Sequence, residues 1–385
     1  MAVTSIVQQG LAPTTLRNTW VEVDLGTAAD NARRVLSELR PETSLICVVK
    51  ANAYGHGMLP FARAVARQGV KWFAVAHVHE ASRLREAVDE DVSLLVLGVA
   101  DASDVPLLLQ KRIIPIVVSE EHGAALSREA VRLARKLDVH IKIDTGMGRL
   151  GVPWDQAAAT CERIAQLPGL RVAGICTHLA SVELKKPSLG PTQIERFQGI
   201  TQELARRGLA KLFKHVASSR GIQYHMDWDL DAVRPGIILY GYGAGEKDMR
   251  IRTQPILQWK TRVVQVKAVP AGAAIGYYST YTTPTPTNIA TLSAGYADGY
   301  HRALSNKGFV LIRGQRCPVV GRVSMNWITV DVGPQSDAKA GDEAVLIGRQ
   351  GTEAIWADEL ARLARTIAYE ILTSINPMIE RRYTT

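Results

Sequence analysis

The sequence predicts an α/β protein, a closed (β/α)8 barrel of the TIM type followed by a β-rich C-terminal domain. Three observations predict it. Near-continuous β-branched apolar runs alternate with helical patterns, eight units in the first two thirds of the chain. Such runs are apolar on both faces, which marks parallel strands covered on both sides. After Tyr240 the helical periodicity nearly vanishes and short alternating strands take over.

In chain order, barrel strands are expected at 45–49, 72–75, 93–97, 114–118, 139–143, 172–175, 212–216 and 233–239. Helices are expected between them at 59–68, 120–136, 157–167 and 193–207. An open doubly wound sheet is the competing arrangement, but eight units in roughly 200 residues suit closure in count and size. The barrel is expected over residues 1–240, with a strand at 20–24 that pairs with the second domain. Residues 241–385 are expected to form that domain from strands at 261–267, 288–292, 308–313, 316–320, 327–332 and 343–347. A hairpin is expected at Gly314-Gln315, and a single amphipathic helix at 357–364.

Composition narrows the function. In 385 residues, 46% hydrophobic and 22% charged content exclude a disordered or fibrous chain. No window of about 18 consecutive apolar residues exists, so no membrane helix is expected. Residues 1–18 have neither a basic start nor a continuous apolar core, so no secretory signal is expected. Four cysteines (Cys47, Cys161, Cys176, Cys317) lie far apart and suit reduced thiols in the cytoplasm. A net charge of +9 suits an anionic ligand or nucleic acid. Aromatics at 6% are too few and too scattered for a nucleic-acid stacking platform.

A barrel of this kind does its chemistry at the carboxyl ends of its strands. Those ends carry Lys50 and Tyr54, then Lys142 to Arg149, then His178, then Ser218 and Ser219, then Arg234 to Gly236. Basic groups and hydroxyls converge there with few carboxylates, so the mouth should hold an anion. Lys50 ends a buried run, where desolvation favours the neutral, nucleophilic amine that Schiff-base chemistry requires. A snorkelling lysine is the plainer reading of that position. Ser218-Ser219 and Arg234-Pro235-Gly236-Ile237 follow strands seven and eight, where barrels commonly bind phosphate, although serine and glycine are also ordinary turn residues. Together these groups suggest pyridoxal phosphate, with a phosphosugar aldolase as an alternative of similar appearance.

Two further motifs argue for little. Gly146 to Gly151 fits G-x-G-x-x-G, but no acidic residue follows to hold a ribose, and Pro153 interrupts the helix start. His77-Val78-His79-Glu80 has no third ligand in view and reads as a solvated face, so no metal is expected.

Four stretches of the barrel, VVKANAYGHG (48–57), IKIDTGMGRLG (141–151), THLAS (177–181) and VRPGIILYGY (233–242), resemble alanine racemase. The second domain continues the resemblance with GYYSTY (276–281), SAGYADGYHR (293–302), GRVSMN (321–326) and AYEI (368–371). The resemblance implies pyridoxal-phosphate-dependent interconversion of L- and D-alanine, supplying D-alanine for peptidoglycan, in a homodimer whose sites are shared between subunits. It implies Lys50 as the cofactor's Schiff-base lysine and the base on one face, and Tyr277 of the other subunit as the base on the opposite face. A phenol of ordinary pKa, about 10, is a poor base, and His178 and Arg234 are implied as its electrostatic help. Arg234 is also implied to face the pyridine nitrogen. As a permanent donor it leaves that nitrogen unprotonated and the electron sink weak, which limits side reactions. Arg149 and the backbone N–H of Met325 are implied to bind the substrate. Tyr54, Ser219, Gly236, Ile237 and Tyr369 are implied to bind the phosphate. Lys142 matches a lysine that is often carbamylated, and Tyr296 is implied to narrow the entrance.

Tyr278 stands where a glycine is usual, Ser218 where asparagine is usual, Asn326 where aspartate is common, and Ser324 replaces a frequent cysteine. A broader amino-acid racemase is therefore the alternative. A pyridoxal-phosphate barrel decarboxylase expects a cysteine-containing acidic motif in the second domain, where only Cys317-Pro318 stands. A cofactor carrier lacks a β-domain altogether.

Overall fold

The computed structural model describes residues 18–182, 188–243 and 250–385. The absence of a leader was expected of residues that lie, but for Asn18, outside that range. Two compact units emerge. One comprises residues 23–257, 367–373 and 383–385, and the other, among the described residues, 18–22, 258–366 and 374–382.

The first unit is a closed parallel barrel. Its strands are Ser44–Val48, Trp72–Val75, Ser93–Val99, Ile113–Val117, Leu137–Asp144, Leu170–Cys176, Phe213–Ser218 and Ala232–Arg234. Each pairs in parallel with the next, and Ala232–Arg234 closes the ring against Ser44–Val48 through Ala232↔Ser44 and Val233↔Leu45. Closure leaves no main edge exposed and excludes the open sheet. Valine, isoleucine and leucine fill the strands because both faces are covered, and residues such as Ile46, Phe73, Leu95, Val117 and Ile141 are fully buried.

The helices that wrap the barrel include Met58–Ala66, Glu120–Arg132, Ala157–Ala165 and Gly190–Arg206. Ser119 caps the second of these by accepting the His122 N–H, with Glu120 and Glu121 in its first turn. This is the arrangement that a helix N-terminus favours. None of the helices among the described residues is long and apolar enough to cross a membrane.

The eighth strand differs from expectation. It ends at Arg234, and Ile237–Tyr240 forms a 3-10 helix. Pro235 has no N–H to give a ladder, and Gly236 adopts φ −121°, ψ −89°, which turns the chain out of the sheet. Arg234 is thereby left at the strand's carboxyl end.

In the second unit a twisted sheet runs in the order Gln315–Pro318, Phe309–Ile312, Glu343–Gln350, Leu257–Val269, Thr19–Asp24, Glu380–Thr384. Thr287–Leu292 joins Leu257–Val269 to Ile328–Asp331. The hairpin falls one residue earlier than expected. Ile312 pairs with Gln315, so Arg313 and Gly314 are the turn, at φ 52° and 76°. A two-residue turn matching the strand twist needs positive φ at both positions, and Gly314 meets that need without strain. Besides the expected helix Ala357–Ala364, the chain forms Ala368–Ser374, which is too short for a clear period.

Candidate active site

The mouth at the strands' carboxyl ends encloses a cavity of about 320 Å³. It brings together Lys50, Tyr54, Lys142, Arg149, His178, Ser219, Arg234, Gly236, Ile237 and Tyr369. Tyr277, Tyr296 and Met325 belong to the other unit and do not line this cavity.

Lys50 does not sit on the strand itself. The strand stops at Val48, and Lys50 opens a short turn, Lys50–Tyr54, in which residues 51–54 all have φ between 52° and 54°. Four consecutive left-handed residues that are not glycine are costly, so the surroundings must fix them. The Ala51 N–H donates to Glu80 Oε1 at 2.7 Å, and Asn52 Oδ1 accepts the Met58 N–H at 2.9 Å. Glu80 Oε2 also accepts the N–H groups of Ala76 and His77, at 2.9 and 3.1 Å. The carboxylate read as solvated thus ties the lysine turn to the following strand. The signal was present in the sequence, for Glu80 stands three residues after the helix cap His77. Tyr54 is pinned from behind by Tyr240, with ring centroids 4.9 Å apart, and Tyr240 stacks in turn on Phe61 and His56.

Desolvation in the mouth, then the Arg149 guanidinium, lower the Lys50 pKa, while Glu80 partly opposes them. Lys142 lies on the strand Leu137–Asp144, and burial, reinforced by Arg234 and Arg149, brings its pKa down to about 8. A neutral amine is far more accessible at that value than in a free lysine.

Arg149 is presented by the glycine-rich loop after the same strand. Asp144 Oδ1 accepts three successive backbone N–H groups, those of Gly146, Met147 and Gly148, at 2.9, 2.8 and 3.1 Å. Burial opposes the Asp144 charge, and the three donors overcome it, holding the carboxyl below its ordinary range. At Gly151, with φ 125°, a Cβ would lie 2.8 Å from both Asp144 N and Lys142 O. The motif's glycines therefore fold the loop onto Asp144, and the chain continues through Val152–Pro153 with no helix until Ala157.

Arg234 is buried and almost fully engaged. One terminal nitrogen donates to His215 Nδ1 at 2.7 Å and His215 O at 2.6 Å. The other donates to Thr177 O at 2.7 Å and Val216 O at 2.9 Å, with His178 Nδ1 at 3.5 Å. All of these bonds leave from the two terminal nitrogens, and Nε–H has no acceptor among the described residues. Because an arginine only donates, His215 Nδ1 must accept, so His215 Nε2 carries the hydrogen and gives it to His140 Nδ1 at 2.8 Å. Burial, then the nearby Arg234 charge, push His215 well below its ordinary pKa and bring His178 to about 3. These imidazoles stay neutral at physiological pH. Neither His215 nor His140 was singled out from sequence, since a histidine inside an apolar strand gives no periodic signal.

Ser219 Oγ accepts the Gly236 N–H at 2.9 Å and lies 3.5 Å from Ile238 N. A Cβ on Gly236 would come within 2.3 Å of the Tyr54 hydroxyl, so only glycine lets that hydroxyl reach this wall. Tyr369 completes the rim 5.8 Å from Tyr54, ring to ring. Ser218 also lines the cavity.

In the second unit Tyr277 is 65% exposed on a short 3-10 turn, and Tyr278 is 85% exposed at φ 61°. The Met325 carbonyl accepts the Ala297 N–H at 2.9 Å, while its own N–H has no acceptor among the described residues. His77 and His79 stack at 5.5 Å, and no group of three or more metal-ligating side chains forms among the described residues.

The fold and this mouth define a barrel enzyme with an amine set among cations, built for a small anionic ligand. Models of the alanine racemase N-terminal and C-terminal domains match residues 23–244 and 256–383. An alanine racemase of Symbiobacterium thermophilum is 42% identical over 96% of this chain and 97% of its own length. The alanine racemase of Bacillus anthracis with bound L-Ala-P superposes with a TM-score of 0.89 at 32% identity, over 97% and 96% of the two chains. That of Bartonella henselae with covalently bound pyridoxal phosphate gives 0.85 at 30% identity, over 95% and 99%. The chain belongs to the alanine racemase family, and its activity is that family's interconversion of L- and D-alanine.

Proposed function

We propose that this chain binds pyridoxal phosphate on Lys50 and racemises alanine with Lys50 and Tyr277 as opposed bases. The observation that carries the reading is the meeting of two features in one cavity: a lysine whose charge is disfavoured, and a wall of hydroxyls and glycine backbone at Ser219, Tyr54, Tyr369 and Gly236. This cup fits the cofactor's phosphate, because the hydroxyls of Ser219, Tyr54 and Tyr369 and the Ile237 N–H offer donors where a Cβ on Gly236 would intrude. When bound, pyridoxal phosphate acts as an electron sink that acidifies the α C–H of an attached amino acid.

The chain's own groups then divide the work. Lys50 and Tyr277 hold and return the α-proton from opposite faces. The Arg149 fork pairs with the substrate carboxylate, joined by the Met325 N–H. Arg234, locked by four acceptors, offers its Nε–H to the pyridine nitrogen and keeps that nitrogen unprotonated. His178, neutral beside Arg234, orients the tyrosine base.

Tyr277 and Met325 would come from a second copy, with Tyr296 narrowing the entrance. Support for such a homodimer is the cluster of large exposed side chains around segments 276–278, 295–297 and 321–327, namely Tyr277, Tyr278, Tyr296, Met325 and Trp327. We place the activity in the cytoplasm, where four buried free thiols are at home, and its product in peptidoglycan synthesis. A racemisation assay over alanine, serine, lysine and arginine with chiral separation tests the substrate. Alanine turnover at least about tenfold above the others, or about 1.4 kcal/mol in barrier, is expected, and comparable turnover of serine or lysine assigns a broader racemase.

Lys142 sits where a third cation faces Arg149 and Arg234. Carbon dioxide joining its neutral amine forms an N–C bond, releases one proton and turns that repulsion into attraction. A carbamate carbon resonance is expected from ¹³C-bicarbonate and is absent in Lys142→Met. Stability gives an independent sign. An unmodified Lys142 releases its proton at about 8 when folded but near 10.5 when unfolded. Unfolding then takes up protons between those values, so stability rises with pH across that window. A carbamylated lysine does not titrate there, and the rise is missing.

A further inference from the structure

The barrel has a second cavity, of about 480 Å³, at the amino ends of its strands. It is walled by the first residues of Ser93–Val99, Ile113–Val117 and Leu137–Asp144, whereas the mouth described above lies at the opposite ends of those strands. Its floor is apolar, with Leu108, Ile113 and Leu137 buried beneath it.

Its rim is strongly cationic. Arg85, Arg112, Arg135, Lys136 and Arg171 face Glu90 and Asp138, so the lining carries three positive charges in excess. The two carboxylates are already taken. Arg112 pairs with Glu90 at 3.1 Å, and Arg171 grips both oxygens of Asp138. Arg85 is fully committed to the wall, donating to the carbonyls of Asp89, Val92, Lys111 and Arg112, at distances between 2.7 and 3.4 Å. It staples the loops on which the rim stands. Arg135 and Lys136 have no ion-pair partner among the described residues and remain available.

Arg112 adopts φ 52° and Ala134, just before Arg135, φ 53°. Arg112 is the left-handed cap that ends the helix Val105–Lys111, its N–H bonded to Leu108 O, and this turn sets its side chain in the lining. Clustered like charges repel and gain from an anion of two or more charges, and paired guanidinium and ammonium donors suit phosphate oxygens.

We propose that this cavity is a second anion site, separate from the racemase mouth, that binds the phosphate groups of a small phosphorylated metabolite. Arg135 and Lys136 grasp the phosphate, the Arg85 charge, bonded only to neutral carbonyls, adds to the surrounding field, and the apolar floor takes the uncharged part.

The test is calorimetric titration of the holoenzyme, whose own phosphate cup is filled, with inorganic pyrophosphate and with adenosine diphosphate. Saturable binding of one anion per chain is expected, weakened by added salt and at least tenfold weaker in Arg135→Ala/Lys136→Ala. Both side chains are exposed, so the double variant should fold and racemise alanine like the parent. Tighter binding of the adenosine compound identifies an esterified ligand, and tighter binding of pyrophosphate a free one. Either ordering supports the site. No saturable binding, or binding that the double variant leaves unchanged, overturns it.

Discussion

Lys50→Ala loses the visible absorbance of the purified enzyme and at least about 10³-fold of its racemase activity. The fold survives, because the Lys50 side chain reaches into the mouth and is not packed in the barrel core. Exposed substitutions of this kind usually cost under about 0.5 kcal/mol. What disappears is the one amine in the cavity placed on a rigid, left-handed turn. Ala51 is held to Glu80 by a 2.7 Å hydrogen bond, and the turn's closing residue Tyr54 is packed against Tyr240. Lys142, the other amine in the cavity, lies on the strand Leu137–Asp144 under the charges of Arg234 and Arg149 and should not replace it. Borohydride reduction followed by peptide mapping decides the assignment. The label is expected on Lys50 in the parent enzyme and nowhere in the variant; label on Lys142 would overturn the role given to Lys50.

The contrast between those two lysines shows how much of the site was legible in sequence. Apolar runs with period-free burial located the barrel strands, and the rule that chemistry sits at their carboxyl ends picked out Lys50, Lys142, His178, Ser219 and Arg234 together. The structure gathers all five around one cavity. The way Lys50 is held was not legible. A left-handed turn over residues 51–54 carries no glycine, and Asn52 alone is of a type that readily takes positive φ, so ANAY does not advertise four such residues in a row. Its stability comes from Glu80: the spacing from His77 marks that carboxylate as a helix cap, but its other bond, to Ala51, spans 29 residues and has no local signature. Buried hydrogen-bond direction was also invisible. That His215 must accept from Arg234, and so donate to His140, follows only once three atoms are seen in a line. The eighth strand was read too long for a related reason. Ile237–Tyr240 is apolar enough to be a strand, and burial rather than extension explains that composition.

Mixing two dead variants restores activity if each site is built from two chains. Tyr277→Ala removes one of the two proposed bases and should slow racemisation by about 10²- to 10⁴-fold. Its residual exchange of α-deuterium from heavy water should favour one alanine enantiomer, and Lys50→Ala should favour the other. Equal exchange of both enantiomers in either variant contradicts bases on opposite faces. The mixture then asks where the tyrosine comes from. In a dimer of a Lys50→Ala chain with a Tyr277→Ala chain, a site combining Lys50 of one chain with Tyr277 of the other has both wild-type residues. The second site has neither. Random pairing makes half of the dimers mixed, so about one quarter of the parent activity is expected from a symmetric dimer with shared sites. If each chain used its own Tyr277, both sites of the mixed dimer would lack one base and the mixture would stay inactive. The exposed position of Tyr277, 65% accessible within its own chain, is what a residue that serves a neighbour's site requires. Complementation near one quarter, together with opposite enantiomer preferences in the separate variants, would establish both the two-base scheme and the shared site.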